Sequence, residues 1–249
     1  MKVFIPAAGL GTRLRPFTLT NPKALVEVDG VPMLERVILR LKRDGFDEMV
    51  INLHHFGDKI EEFVKAHDNF GVNIAFSDER AELLDTGGAL LHARRLLGGD
   101  DRPFLIHNVD ILSDAPLREL IDRHQRSDAA ATLLVSDRES SRRLIFDGAD
   151  ALRGWHNLST DEYKPAGFES QSDYRQLAFS GIHVMNPAEV FAEMNRQDRS
   201  GRFSVIDFYM QSIGSLRVEA MEVDRLRMID IGKPETLALA PTLLREIGG

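Results

Sequence analysis

From residue 2 to residue 107, short apolar runs alternate with segments of helical spacing, and this alternation constrains the fold more than any other feature of the chain. Residues 2–5, 49–52 and 104–107 read as buried strands, and Val72, Ile74 and Phe76 alternate as another. Between them, Met33, Leu34, Val37, Ile38 and Leu41 share one helical face, with Arg36, Arg40 and Arg43 on the other. Residues 57–66 and 86–97 read as two more helices, and Pro32 suits a first helical position. Strand–helix–strand repetition implies right-handed crossovers, hence an α/β domain with a mostly parallel central sheet and helices on both faces. A chain of 249 residues accommodates one such domain with a large core.

Beyond residue 116 the pattern loosens. A helix is expected over 117–124 and a strand over 129–135. Residues 137–177 are polar and irregular, with short strands expected at 143–147 and 151–155. Then come a strand over 179–184, helices over 187–194 and 205–213, alternation over 216–223, a strand over 227–231 and a closing helix over 234–247.

The net charge of −8 argues against a nucleic-acid surface, but residues 1–45 carry eight Lys or Arg against four Asp or Glu. A basic segment in an acidic chain fits a small polyanion. The absence of cysteine excludes disulfides, thiolate metal sites and a cysteine nucleophile. The first apolar run is too short for a signal peptide, and no stretch reaches the ~20 apolar residues of a membrane span. A cytoplasmic enzyme without membrane or nucleic-acid partners is expected.

The basic segment centres on a loop leaving the first strand, from Pro6 to Pro16 and on to Lys23. Gly9 and Gly11 let main-chain amides approach a ligand, and Arg13, Arg15 and Lys23 add positive charge; phosphate best matches that combination. A Walker loop is absent, and a dinucleotide fingerprint fails because Leu14 stands where its third glycine belongs and the second strand ends near Asn52, not at an acid.

Other residues allow two readings each. Asp110, after a buried strand, is either a cap or a metal ligand. Asp230 reads as a turn residue or a second ligand. Asp85, Thr86, Gly87 and Gly88 form either a capping turn with glycines for packing or part of a nucleotide site. His54 and His55 suit strand-end hydrogen bonding, and Trp155, the one tryptophan, suits a core or stacking role.

The run Ala8-Gly9-Leu10-Gly11-Thr12-Arg13-Leu14-Arg15-Pro16-Phe17-Thr18, followed by Pro22-Lys23, resembles the opening motif of the sugar-1-phosphate nucleotidyltransferase family. Asn108-Val109-Asp110 and Met228-Ile229-Asp230-Ile231-Gly232-Lys233-Pro234 resemble that family's two metal-carboxylate segments, with Lys233 where relatives usually have threonine. The resemblance implies a single Rossmann-like, glycosyltransferase-A-like domain over 1–249. Its nucleotide-binding half would be 1–115, its sugar-phosphate half and closing helix 116–249, with no C-terminal β-helix. It implies transfer of a nucleoside monophosphate from a nucleoside triphosphate to a sugar 1-phosphate. Arg13, Lys23 and Asp110 would be catalytic, and Asp110 and Asp230 would hold Mg²⁺. Ala8, Gly9, Gly11, Thr12, Thr86, Gly87, Gly88 and Asn108 would join Arg13 and Lys23 around the nucleotide, with Thr86 to Gly88 reading the base through main-chain groups. Ser180, Gly181 and Lys164 would meet the sugar phosphate. The pattern is most similar to cell-wall-recycling uridylyltransferases acting on N-acetylmuramate 1-phosphate; the rival is a guanylyltransferase acting on mannose 1-phosphate. A non-catalytic nucleotide-binding regulator is the alternative from another class. A monomer or small homo-oligomer is expected.

Overall fold

The structure, a computed structural model, describes residues 1–98 and 102–248. In chain order the first half runs β1 (Lys2–Ile5), β2 (Glu27–Val28), β3 (Val31–Pro32), α1 (Met33–Arg43), β4 (Glu48–Leu53), α2 (Gly57–Ala66), β5 (Asn73–Asp78), α3 (Asp85–His92), α4 (Arg94–Leu97), β6 (Phe104–His107) and β7 (Ile111–Ser113). The second half runs α5 (Leu117–Gln125), β8 (Ala131–Ser136), β9 (Arg142–Phe146), β10 (Leu152–Asn157), β11 (Glu162–Lys164), β12 (Arg175–Met185), α6 (Pro187–Arg196), α7 (Val205–Ser212), β13 (Val218–Glu222), β14 (Met228–Asp230) and α8 (Pro234–Glu246).

Strands β6, β1, β4 and β5 pair in parallel, so their C-terminal ends open on one edge. Ligands of open parallel sheets bind at such an edge. Strand β12 extends the sheet antiparallel to β6 and also pairs with β8 and β9. Its period-2 pattern puts residues on both faces, as it does in β1: Val3 and Ile5 join α1, α2 and α5 in one core, and Phe4 joins α3, α4, α6 and α7 in another. Helices therefore cover both faces, as the alternation predicts. A third cluster packs Ala240 and Leu244 of α8 against Leu14, Val28, Leu112 and Ile231. It ties the basic loop to the chain's far end.

Three differences from the sequence reading have local causes. Asp29 and Gly30, both at positive φ, close a two-residue hairpin between β2 and β3, where the sequence reading places no strand. Pro32 ends that hairpin in extended conformation, so α1 begins one residue later, at Met33. The irregular segment 137–177 is an antiparallel extension, β11-β10-β9 on the first residues of β12. A register shift in β10 between Leu152 and Gly154 interrupts the alternation that would have marked it.

Candidate active site

The loop after β1 is anchored from behind. Asn52, buried at the end of β4, accepts through Oδ1 from the amides of Ala7 (2.6 Å) and Ala8 (3.2 Å). Ala8 lines the cleft, but its amide is committed to this anchor and cannot also meet phosphate. The amides of Gly9 to Thr12 have no protein acceptor among the described residues. Gly11 sits at φ +59°, and a Cβ there would come within 2.8 Å of Thr18 Cγ2 and 3.0 Å of Lys23 Cβ. That glycine lets the loop fold onto Lys23. At Gly9 a Cβ would meet no protein atom within 4 Å.

The cationic and acidic groups converge. Lys23 Nζ forms an ion pair with Asp110 Oδ2. Asp230 pairs in register with Ile111, the residue after Asp110, and the Ile231 amide donates to the Asp110 carbonyl at 3.0 Å. Asp230 Oδ1 accepts from the Gly232 amide at 2.6 Å. A Cβ built on Gly232 would lie 2.7 Å from Asp230 Oδ1, 2.9 Å from Arg13 Nη2 and 3.2 Å from Lys23 Nζ, so all three flank one glycine. Asp230 is open to solvent by area, yet surrounding protein hinders hydration of its carboxylate. That loss of hydration, then the Asp110 charge, raises its pKa; Lys23, the Gly232 amide and Arg13 pull the other way. Lys233 is exposed and caps α8 with Thr236.

Beside these charges lies a cleft of about 260 Å³ bounded by Pro6 to Gly9, Lys23, Asn52, Glu79, Leu83, Asp85, Thr86, Asn108 to Asp110 and Arg202. Glu79, just past β5, is 3% exposed; its Oε1 accepts from Asn52 Nδ2 at 3.0 Å, and its buried Oε2 has no partner. Burial raises the Glu79 pKa, and the Asn52 hydrogen bond opposes the rise. Thr86 reaches the cleft, but Gly87 and Gly88 do not line it. Both their amides donate to the Phe203 carbonyl, at 2.9 and 3.1 Å, and a Cβ on either would strike Phe203 or Gly201. The amides of Gly87 and Gly88 are therefore not free for the main-chain reading of a base that the sequence suggests. Their amides are consumed in docking the loop that carries Arg202. A larger groove of about 720 Å³ lies between α1, the start of α5 and the end of α8; none of the expected site residues lines it.

On the sugar-phosphate side the expected residues divide. Gly181, at φ +76°, lies where a Cβ would come 2.6 Å from Asn108 Nδ2, and its carbonyl accepts the Asn108 amide at 3.1 Å. It shapes the cleft wall. The Ser180 hydroxyl is buried and donates to the Leu134 carbonyl at 2.7 Å, so it braces the bend in β12 and is not free for a ligand. Lys164 does not line the cleft: its ammonium bonds Asp207 Oδ1 at 2.8 Å and lies 5.1 Å from the Trp155 ring centre. Trp155 is half-buried against the second core. His54 and His55 make main-chain hydrogen bonds to Glu79 (2.7 Å) and Thr18 (3.3 Å), as strand-end residues should.

Sequence reasoning missed Glu79, Arg202 and the anchoring role of Asn52. Glu79 follows a parallel strand just as Asp110 nearly does, so the strand-end rule could have found it. Among the described residues no group of three or more His, Cys, Asp or Glu side chains forms a metal cage. Asp110 and Asp230 are two hard oxygen donors side by side at an open cleft. That set suits Mg²⁺, which takes one or two carboxylates and completes its shell with phosphate oxygens and water.

A model of the nucleotidyl transferase family matches residues 2–144. The chain is 29% identical over 245 residues to an N-acetylmuramate alpha-1-phosphate uridylyltransferase of Caulobacter vibrioides, covering 96% of this chain and 95% of that one. It is 39% identical over 191 residues to a mannose-1-phosphate guanyltransferase of Hypocrea jecorina, covering 76% of this chain but only 50% of that one. Among solved structures it resembles the inositol-1-phosphate CTP transferase from T. maritima (TM-score 0.77, 17% identity, 99% and 95% coverage) and a UDP-glucose pyrophosphorylase (TM-score 0.76, 18% identity, 98% of both chains). At that identity the likeness concerns the fold.

Proposed function

The chain belongs to the nucleotidyl transferase family, and on that premise we propose that it transfers a nucleoside monophosphate from a nucleoside triphosphate to a sugar 1-phosphate. The observation that carries this reading is the meeting of Lys23 with Asp110, and of Asp230 with both, beside a loop of free amides. An oxygen of the sugar phosphate forms a bond to the α-phosphorus while the bond to the bridging oxygen breaks, and pyrophosphate leaves with the electron pair. The nucleophile is already an anion, so no general base is needed; the barrier is charge repulsion and alignment.

Arg13 and the amides of Gly9 to Thr12 hold the leaving pyrophosphate. Lys23 exchanges Asp110 for the α-phosphate. Asp110 and Asp230 hold Mg²⁺, which when bound neutralises phosphate charge and orients its oxygens. Gly181 and Asn108 form the wall toward the sugar. Thr86 and Glu79 border the base pocket, and the Glu79 Oε2, shielded and without a partner, is the proposed acceptor there. An ionised carboxylate accepts the ring N–H of uracil or guanine, whereas cytosine and adenine offer a ring acceptor at that edge and are repelled.

UTP with N-acetylmuramate 1-phosphate is the proposed pair, because the uridylyltransferase relative matches this chain along nearly its whole length. GTP with mannose 1-phosphate is the second reading, favoured by the higher local identity of the guanyltransferase. No helix among the described residues is long and apolar enough to cross a membrane, and a cytoplasmic site of action is part of the same proposal. Four nucleoside triphosphates assayed against both sugar phosphates, with Mg²⁺ or with chelator, test it through pyrophosphate release. Release with UTP and N-acetylmuramate 1-phosphate, abolished by chelator, is expected. Release only with GTP and mannose 1-phosphate overturns the substrate pair, and release with no pair overturns the activity.

A further inference from the structure

We propose that Arg138 is the cation that receives the phosphate of the incoming sugar 1-phosphate; the inference rests on the function proposed above and assigns a binding residue within it. Arg138 lies just beyond β8. Its Nη2 donates to the Phe179 carbonyl at 2.8 Å and its Nη1 to the Glu139 carbonyl at 3.3 Å. Its Nε is shielded from solvent and has no partner. Among the described residues no carboxylate comes within ion-pair distance of it, whereas its neighbours in the sugar half are matched: Arg143 with Asp137, Arg153 with Asp147, Lys164 with Asp207. A half-buried guanidinium that bonds only neutral carbonyls and leaves its Nε shielded and unpartnered has charge to match to a ligand.

The bend in β12 shows where that ligand would lie. The Phe179 carbonyl holds Arg138, and the Gly181 carbonyl, two residues on, holds the amide of Asn108 in the cleft wall. Asp230 is near enough for its charge to raise the pKa of Arg138 against the lowering effects of burial, the larger, and of Arg143. The guanidinium thus stands on the sugar half, held by the β12 carbonyl two residues before the one that holds the cleft-wall residue Asn108. An in-line displacement needs the incoming phosphate and the leaving pyrophosphate on opposite sides of the α-phosphorus. Arg138 supplies charge on the incoming side, where the ammonium of Lys164 is engaged by Asp207 and Trp155; Arg202, a further cation lining the cleft, sits on the loop docked against Gly87 and Gly88. A planar guanidinium can grip two phosphate oxygens and leave the third to attack.

The test is Arg138→Gln and Arg138→Lys, assayed on the pair that the wild-type protein turns over. The KM for the sugar 1-phosphate should rise about 10- to 100-fold in Arg138→Gln, with the KM for the nucleotide and the thermal midpoint within twofold and 2 °C, about the scatter of such measurements. Arg138→Lys should restore part of the loss. An unchanged sugar-phosphate KM, or an equal rise in both KM values, overturns the assignment. Should Arg138→Gln not fold, Arg138→Lys is read alone by the same split between the two KM values. Should the wild type turn over no pair, the proposed function fails separately. Inorganic phosphate then serves as the probe: stabilisation of the wild type that is weaker in the variants upholds Arg138 as an anion site, and equal stabilisation overturns it.

Discussion

Lys23 and Asp110, 87 positions apart in the chain, form an ion pair at the cleft, and Asp230 enters from the last strand beside them. The pair keeps the two charges matched to each other. In the proposed reaction a bound metal–triphosphate would let both change partners at once, Lys23 to phosphate and Asp110 to metal. Neither charge is stranded in the exchange, and a stranded charge is what makes breaking a shielded pair costly.

In the proposed base pocket Glu79 Oε1 is taken by Asn52, which leaves the shielded Oε2 without a partner. In Glu79→Gln the amide can keep its oxygen toward Asn52 and turn a donor to the cleft. The kcat/KM for UTP and GTP should fall about 10- to 100-fold, and that for CTP or ATP should rise relative to them. Nucleotide panels on the two proteins check this; an unchanged order of preference removes Glu79 from base selection.

Gly232 has no positive φ, so alanine there meets contacts but no backbone strain. Its methyl would press on Asp230, Arg13 and Lys23. Arg13 and Lys23 can swing aside, so stability should change by less than about 1 kcal/mol. Turnover should fall about 100-fold, as expected when reacting groups shift by roughly an ångström. Parallel urea melts and pyrophosphate assays separate the two effects; equal turnover in both proteins contradicts the convergence at Gly232.

The sequence exposed what depends on repetition and on long motifs. The βα alternation placed β1, β4, β5 and β6, and the loop motif with its two distant aspartates pointed to one site, because each residue sits at a strand end where topology leaves few alternatives. It hid what depends on single contacts. Gly87 and Gly88 look the same in sequence whether their amides face a base or the Phe203 carbonyl, and only the docked 201–203 loop decides. Arg138 and Glu79 are single polar residues after strands, and their missing partners become visible only once burial is known. Strand β11 has three residues and β10 a register shift, too little pattern for periodicity to register.

Two buried histidines set an acid limit on stability. Burial lowers the pKa of His107 to about 4, helped by Arg40, and that of His183 to about 3. Both folded values lie below the unfolded value, so the unfolded chain takes up protons that the folded chain refuses. Stability should be level above about pH 7 and fall below about pH 6.5, by ~1.4 kcal/mol per group for each pH unit, until pH 4 for His107 and pH 3 for His183. Urea midpoints at pH 7.5 and 5 measure this, and His183→Gln should flatten the slope. Equal midpoints at both pH values contradict neutral burial.

The convergence on the triphosphate is tested most directly by Lys23→Ala, through the rate of pyrophosphate release at saturating nucleotide, Mg²⁺ and sugar 1-phosphate. Removing the charge that bridges the reacting phosphates should lower kcat by about 10³-fold, while the chain still folds with a lowered thermal midpoint because Asp110 loses its partner. A rate within a few-fold of the wild type would contradict the part of Lys23 and Asp110 in the displacement.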